Sequence, residues 1–263
     1  MSRVVLVTGC STGIGLATAL AFGRRGDRVY ATMRAPERGD ALRAAVAGEA
    51  LDVDVLRLDV RDDRSVRDAI GDVLGQEGRL DVVVNNAGVG PFAPIEHSTD
   101  DEWLATLDTN LLGPVRVCRA VLPTMRAAGH GVIVTISSVA GRLAAVPTQG
   151  AYAASKHAVC TLTDSLNAEC GPFGLRAECL EPGFFATSIM DKDTVPVLAD
   201  DDPYRAVMDG VEGFFRASLA VAPPPDAVAT LCVAAADGPL EGGHHHVVGM
   251  DGLTPTDTAA RGR

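Results

Sequence analysis

The chain of 263 residues is poor in lysine and aromatic side chains and has no long apolar run. Its only lysines are Lys156 and Lys192, aromatic residues make up 4%, and the net charge at pH 7 is −11. Nucleic acids and anionic membranes bind clusters of Lys and Arg, so we expect neither as the main partner. No apolar run approaches the roughly 20 residues of a membrane span. Met1-Ser2-Arg3 leads directly into a predicted strand, so we expect no signal peptide.

The cysteines and histidines lack the spacing of a metal site. The six cysteines form no CxxC pair, and we interpret them as reduced, mostly buried thiols of a cytoplasmic protein. His244, His245 and His246 precede Val247-Val248, so we expect them to alternate between the faces of a last strand. The sequence therefore predicts no bound metal.

Apolar runs alternate with helical patterns along the whole chain. Val4-Val5-Leu6-Val7 is typical of a strand that is buried on both faces of a parallel sheet. Further strands are predicted at 29–33, 53–58, 80–84, 132–136, 176–180 and 244–248, and helices at 14–25, 35–47, 62–74, 100–128, 150–170 and 226–236. This order predicts an α/β fold with a Rossmann-type, doubly wound parallel sheet of about seven strands and helices on both faces. We expect residues 1–263 to form a single domain.

The segment from about 187 to 225 interrupts this alternation. It is acidic and contains several prolines, and it follows the sixth predicted strand. Ligands bind beyond the carboxyl ends of the strands in such sheets, so we expect this segment to be a substrate lid.

A tyrosine and a lysine stand four residues apart in Tyr152-Ala153-Ala154-Ser155-Lys156. On a helix this spacing places both side chains on one face, one turn apart. A free phenol with a pKa near ~10 is a poor acid-base catalyst at neutral pH, and a nearby cation lowers that pKa. The pair therefore indicates proton transfer, although a surface Tyr and Lys would show the same spacing.

A glycine-rich turn, Thr8-Gly9-Cys10-Ser11-Thr12-Gly13-Ile14-Gly15, joins the first predicted strand to the first helix. Glycines let the backbone approach a phosphate closely, and a helix N-terminus supplies amide donors. This turn predicts a phosphate site, and it occurs together with Asn86-Ala87-Gly88 after the fourth strand.

In these motifs, taken in order, the sequence resembles the short-chain dehydrogenase/reductase family over roughly residues 3–188. The motifs are the glycine turn, Asn85-Asn86-Ala87-Gly88, Asn110, Ser138-Val139-Ala140-Gly141, Tyr-x-x-x-Lys and Pro182 to Thr187. Within the family, the chain is similar to the branch that holds 17β-hydroxysteroid and retinol dehydrogenases. The resemblance implies an enzyme that transfers hydride between a nicotinamide cofactor and a fairly apolar ketone or secondary alcohol.

The resemblance also implies residue roles. Tyr152 would be the general acid-base, Lys156 would hold the nicotinamide ribose and depress the tyrosine pKa, Ser138 would bind the reacting oxygen, and Asn110 would order a water. The cofactor would contact a larger set of residues: Gly9, Ser11, Thr12, Gly13, Ile14, Gly15, Arg34, Asp59, Val60, Asn86, Ala87, Gly88, Tyr152, Lys156, Pro182, Gly183, Phe185 and Thr187. Relatives often dimerise through the helix after Asp100 and the Tyr152 helix, so a homodimer is expected, with a tetramer as the alternative.

Three alternatives stay open in the sequence. Ser138 precedes Tyr152 by fourteen residues where many relatives have thirteen, so Ser137 is the alternative serine. Phe184, Phe185, Phe214 and Phe215 belong either to the core or to an apolar substrate pocket. A catalytically silent cofactor-binding sensor or scaffold is the competing function. Epimerases of the longer branch begin with a differently spaced glycine motif, so they are disfavoured. Enoyl reductases of this fold space the tyrosine and lysine farther apart, which disfavours them as well.

The expected cofactor is NADP(H), with NAD as the less favoured choice. NAD-dependent members of this fold carry an acidic residue directly after the second strand, which binds the ribose and repels a 2′-phosphate. Here the strand ends in Thr32-Met33-Arg34, and the next acid is Glu37. A guanidinium at Arg34 fits a phosphate.

Overall fold

The computed structural model describes residues 2–142, 147–187 and 195–249. Within these ranges the chain forms one sheet of seven parallel strands in the order β3-β2-β1-β4-β5-β6-β7. The strands are β1 (Val4–Thr8), β2 (Arg28–Met33), β3 (Val53–Arg57), β4 (Val82–Asn85), β5 (Gly131–Ile136), β6 (Leu175–Pro182) and β7 (His245–Val248). The predicted Rossmann-type sheet is confirmed, and its strand order reverses between β1 and β4.

Helices cover both faces of the sheet. They are α1 (Gly13–Arg24), α2 (Asp40–Glu49), α3 (Asp63–Glu77), α4 (Asp100–Leu107), α5 (Gly113–Ala128), α6 (Gly150–Cys170), α7 (Arg205–Ala220) and α8 (Asp226–Asp237). On one face, α1, α2 and α8 bury apolar side chains such as Phe22, Leu42 and Val228. On the other face, α3, α5 and α6 bury Ile70, Val121 and Leu166. The strands between these two layers are apolar on both sides because both sides are covered.

Two predicted helices are interrupted in the structure. The helix expected at 35–47 is a short 3-10 turn at Pro36–Arg38 followed by α2, which begins after Gly39. The helix expected at 100–128 is α4 and α5 joined by a π-helical turn at Asp108–Leu112. Such turns insert one extra residue into the helical ladder and occur frequently at functional sites. Here the turn contains Asn110, whose position is described below.

The segment predicted as a lid contains a regular helix that the sequence analysis did not predict. Helix α7 places Met208 and Val211 in a small apolar cluster with Phe92, which lies in the loop after β4. Residues 188–194 lie outside the described residues. None of the helices that the structure describes is long and apolar enough to cross a membrane.

Candidate active site

The predicted site residues meet at the carboxyl edge of the sheet because parallel strands end on the same side. β1, β4 and β5 are neighbours and end at Thr8, Asn85 and Ile136. The chain leaves β1 toward β2 on one side of the sheet, whereas β4 lies on the other side of β1. A crevice for a ligand forms at such a reversal of strand order.

The glycine turn after β1 is held tightly against the loop after β4. Gly9 and Gly13 have φ of 75° and 60°, in the left-handed region that favours glycine. A Cβ on Gly15 would lie 2.4 Å from the Gly9 carbonyl oxygen and from Asn86 Nδ2. No acidic residue occupies the first turn of α1. The positive end of this helix therefore meets the crevice without a competing carboxylate.

Thr8 fixes the loop that contains Asn86 and Ala87. Its buried hydroxyl accepts hydrogen bonds from the backbone N–H groups of both residues at 3.0 Å. Asn86 Nδ2 in turn donates to the carbonyl oxygens of Thr8 at 2.8 Å and Gly9 at 3.2 Å. The side chain of Asn86 thus links the two loops on either side of the crevice.

Tyr152 lies in the first turn of α6, and its phenol interacts with Ser138. Burial raises the pKa of Tyr152 above its ordinary value, and the hydrogen bond with Ser138 acts in the opposite direction. Burial is the larger of these two effects, so the phenol is protonated at neutral pH. The expected lowering of this pKa by Lys156 stays a prediction.

Lys156 is a buried ammonium one turn along the same helix. Its Nζ lies 5.7 Å from the centre of the Tyr152 ring and donates to the carbonyl oxygen of Ile136 at 2.8 Å. Burial lowers the pKa of Lys156 to about 8. A Cβ on Gly88 would lie in ordinary contact with Nζ at 3.6 Å and closer, at 3.3 Å, to Asn110 Oδ1.

Asn110 ties the π-helical turn to the loop after β4 and to α6. Its Oδ1 accepts from the backbone N–H of Val89, and its Nδ2 donates to the carbonyl oxygen of Val89, both at 2.9 Å. The same Nδ2 also donates to Ser155 Oγ at 2.9 Å. Ser155 Oγ donates to the carbonyl oxygen of Tyr152 at 2.7 Å. Asn110 therefore acts on the position of the tyrosine through Ser155.

The two candidate serines have different surroundings. Ser137 Oγ donates to the backbone carbonyl oxygen of Lys156 at 2.8 Å and lies 3.3 Å from Cys160 Sγ, on the buried side of α6. Ser138 Oγ accepts from the backbone N–H of Ala140 at 3.2 Å and interacts with the phenol of Tyr152. Of the two, Ser138 is the serine beside the tyrosine.

The residues predicted to contact adenosine lie beyond β2 and β3. Arg34 is exposed just past the end of β2 and makes no hydrogen bond or ion pair with the described part of the chain. Asp59 is half-buried, and its carboxylate accepts from the backbone N–H of Arg61 at 3.0 Å. The side chain of Val60 packs in the core against Gly113, so it offers a ligand little more than its backbone.

The loop after β6 lies close to the glycine turn. A Cβ built on Gly13 would lie 3.2 Å from the Cβ of Thr187. The N–H of Gly183, next to Pro182, donates to the carbonyl oxygen of Val248 and so continues the sheet. Phe185 is buried in the core with its ring against Gly249, and only its backbone is available to a cofactor.

The remaining predicted residues of the glycine turn, Ser11, Thr12 and Ile14, lie half-buried or exposed at the start of α1.

The sequence analysis missed Thr8 and Ser155 as positioning residues. Both are small polar side chains, 2% and 0% exposed. Buried hydroxyls need partners inside the protein, and this is the signal that could have identified them. It missed Phe92 as well, whose ring centre lies 4.9 Å from that of Phe215 on α7.

Comparison with known proteins agrees with this geometry. The family model of short chain dehydrogenases matches residues 3–196. The chain is 37% identical over 196 residues to a 3-ketodihydrosphingosine reductase of Bacteroides thetaiotaomicron, covering 74% of this chain and 69% of the relative. It is 39% identical over 195 residues to human 17-beta-hydroxysteroid dehydrogenase type 1, covering 72% of this chain and 58% of the relative.

Two solved structures are similar over nearly the whole chain. A short chain dehydrogenase/reductase of Burkholderia phymatum in complex with NAD has a TM-score of 0.82 and 26% identity, covering 94% of this chain and 88% of the other. An alcohol dehydrogenase of Thermococcus sibiricus complexed with 5-hydroxy-NADP has a TM-score of 0.76 and 26% identity, covering 97% and 99%. Structures with this fold thus bind either type of nicotinamide cofactor.

Proposed function

The chain belongs to the short-chain dehydrogenase/reductase family of oxidoreductases, and on that premise we propose that it is an NADP(H)-dependent ketoreductase or alcohol dehydrogenase. The observation that carries this proposal is the grouping of Ser138, Tyr152 and Lys156 beside the loop after β4, which packs against the glycine turn. The two relatives are named as a reductase of a keto compound and a hydroxysteroid dehydrogenase, which favours interconversion of a ketone and an alcohol.

The crevice fits a dinucleotide. The glycines at 9, 13 and 15 keep side chains out of the turn, and the N-terminus of α1 provides a positive dipole for a pyrophosphate. Asn86 to Gly88 and the loop from Pro182 to Thr187 would border the nicotinamide half. When bound, the nicotinamide supplies or accepts the hydride.

Tyr152 supplies the proton in the reductive direction. Its phenol is protonated at neutral pH, so it can donate a proton to the oxygen of a ketone as negative charge develops there. Ser138 directs its hydroxyl at the same oxygen, and a second fixed donor lowers the barrier by stabilising that charge. Lys156 holds its ammonium nearby and would bind the ribose next to the nicotinamide.

Arg34 supports the choice of NADP(H). Its exposed guanidinium is unpaired within the described residues, and it follows the strand after which an NAD-dependent enzyme would carry an acid. Arg57, at the end of the neighbouring strand and in register with Met33, adds a second exposed cation. A 2′-phosphate at this position would meet two guanidinium groups and no carboxylate of the second strand.

A group of phenylalanine rings, called the aromatic wall below, favours an apolar substrate. Phe184, after β6, lies 5.5 Å from Phe214 and 5.2 Å from Phe215 on α7, ring centre to ring centre. Phe92 completes this group from the loop after β4. The wall lies at the carboxyl edge of the sheet, and we propose that it binds the apolar part of the substrate, with α7 and its flanking segments as a substrate lid.

The test is a panel of ketones and secondary alcohols with purified protein, followed by the absorbance of the reduced cofactor. Tyr152→Phe should bind NADPH as the wild type does but lose about 10²- to 10⁴-fold in turnover. A Phe variant that keeps more than a tenth of the wild-type rate would exclude Tyr152 as the proton donor. Cofactor binding without turnover of any ketone or alcohol would favour a catalytically silent sensor.

A further inference from the structure

A second cluster of reactive side chains lies between α6 and the strands β6 and β7. It consists of Cys160 on α6, Cys179 and Glu181 on β6, and His245 on β7. Cys179 and Glu181 are two residues apart, so they share one face of their strand. His245 is in register with Cys179, which places it on that face as well. The first three are buried and the histidine is partly exposed.

Four potential ligand atoms of this cluster lie within 4.8 Å of one another. The two sulfurs are 3.7 Å apart, Cys160 Sγ is 3.8 Å from Glu181 Oε1, and that oxygen is 3.0 Å from His245 Nδ1. In a tetrahedral zinc site two sulfurs lie about 3.8 Å apart, sulfur and oxygen about 3.5 Å, and oxygen and nitrogen about 3.3 Å, given the usual bond lengths. These three separations agree to within a few tenths of an ångström. We propose that Cys160, Cys179, Glu181 and His245 form a structural Zn²⁺ site.

Hydrogen bonding alone leaves the cluster incompletely satisfied. Glu181 is 0% exposed, and its Oε2 is a buried oxygen with no hydrogen-bond partner among the described residues. Its other oxygen accepts from Arg142 Nε at 2.8 Å and lies beside the histidine. A buried carboxylate oxygen without a partner is costly. Oε1 is the oxygen that lies near the sulfur of Cys160 and the histidine, so an ion bound there would displace Arg142 to Oε2 and give each oxygen one partner.

The groups around the cluster are those that support a metal ligand. Asp164 Oδ1 is 2.7 Å from His245 Nε2, the ring nitrogen that faces away from the sulfurs. A carboxylate in this position fixes the tautomer and orientation of a histidine that binds zinc. Two thiolates and one carboxylate with Zn²⁺ leave one negative charge, which the Arg142 guanidinium offsets. Binding releases the two thiol protons.

Four protein ligands leave no open position for substrate, so the site is structural. It would join β6 and β7 to α6, one turn beyond Lys156. Cys160 also contacts Ser137, which holds the backbone carbonyl of Lys156. The ion would therefore stabilise the helix that carries the proposed acid and its lysine. The spacing of the cysteines and histidines in the sequence predicts no metal site, and the Zn²⁺ site proposed from the structure replaces that prediction. The Zn²⁺ site does not depend on the proposed function.

The test uses the full chain without an affinity tag, stripped with a chelator and titrated with Co²⁺ and then Zn²⁺. Wild type should bind one equivalent of Co²⁺ with thiolate-to-cobalt charge-transfer absorption, and Zn²⁺ should displace it. At metal concentrations about a hundred times the Kd, the melting temperature should rise by about 5 °C or more.

His245→Gln and its neighbour His246→Gln form the matched pair of variants. His246 Nε2 lies 2.9 Å from Glu178 Oε2. Glu178 and Glu181 are an odd number of residues apart on β6, so Glu178 and His246 lie on the opposite face of the sheet from the cluster. We expect at least a hundredfold weaker binding in His245→Gln and unchanged binding in His246→Gln. Cys160→Ser should lose about half or more of the charge-transfer absorption, because one thiolate of two is removed, whereas Cys118→Ser should keep all of it.

Asp164→Asn provides a further variant on an exposed position, so its fold is not at risk. Asp164→Asn should weaken metal binding by about 10- to 100-fold, which is typical when a carboxylate that orients a metal-binding histidine is removed. The proposal is overturned if folded wild-type protein shows no thiolate band with Co²⁺, or if His245→Gln binds as tightly as His246→Gln. It is also overturned if Cys160 and Cys179 form a disulfide in place of binding metal.

Discussion

Thr8 offers a direct test of how the two crevice loops are held together. Thr8→Val keeps the shape of the side chain but removes the acceptor for the N–H groups of Asn86 and Ala87. Each unpaired donor costs about 1–3 kcal/mol, and Asn86 and Ala87 are half-buried, so water compensates part of the loss. We expect the free energy of unfolding to fall by about 2–4 kcal/mol in a urea titration. The Kd for the cofactor should rise as well, because the same loop borders the crevice.

Thr32→Val is the matched control. Thr32 is in register with Thr8 on the next strand and is also buried, but its hydroxyl only donates, to the carbonyl oxygen of Val7. No N–H group loses its acceptor in this variant, so a loss of about 1 kcal/mol or less is expected. Thr8→Ser retains the hydroxyl and should preserve cofactor binding. Equal destabilisation by Thr8→Val and Thr32→Val would refute the assigned role of the Thr8 oxygen.

Three further predictions concern other parts of the chain. Arg34→Ala should raise the KM for NADPH about tenfold or more and leave that for NADH nearly unchanged; equal changes would mean that Arg34 does not bind the phosphate. Asn110→Ala should lower the free energy of unfolding by about 2–3 kcal/mol, because the N–H of Val89 loses its acceptor. The same variant should lower kcat more than it changes the KM for cofactor. An unaltered kcat would show that Asn110 does not position Tyr152. Burial raises the pKa of Asp81, but hydrogen bonds from Arg79, the N–H of Val4 and His130 outweigh it, so the pKa lies below its ordinary value. The folded state therefore stays ionised where the unfolded chain takes up a proton, and stability is lost as the pH falls from about 4 through the lower folded pKa. Asp81→Asn should flatten this acid limb of the melting-temperature profile, and an unchanged limb would contradict the assignment.

The positions of the strands along the chain and most element boundaries could be predicted because local patterns carry them. Residues 4–7 and 132–136 are apolar and β-branched in nearly every position, which is typical of strands covered on both faces. The Tyr152 helix, predicted at 150–170, has those bounds in the structure. Helix α7 was missed because the acidic residues and prolines before it dominate the local pattern, whereas its stability comes from packing against Phe92.

The expected homodimer and the cytoplasmic location stay predictions. A dimer through α4, α5 and α6 would bury the outer faces of the helices that carry Asn110 and Tyr152. Sedimentation of the purified chain measures the assembly directly, and a monomer at all concentrations would contradict the expectation.

The sequence by itself determined the family and the motifs that border the crevice, because Gly-x-x-x-Gly-x-Gly and Tyr-x-x-x-Lys each lie within a single turn or helix. Tertiary structure alone decided the electrostatics around them. The pKa of Tyr152 depends on burial, which its neighbours in the chain do not reveal. Cys160, Cys179 and His245 are far apart in sequence and show no ligand spacing, and they meet only because β6 pairs with β7 beneath α6. A local motif can specify which groups react, but the distances and the dielectric environment that tune them arise from packing between distant segments.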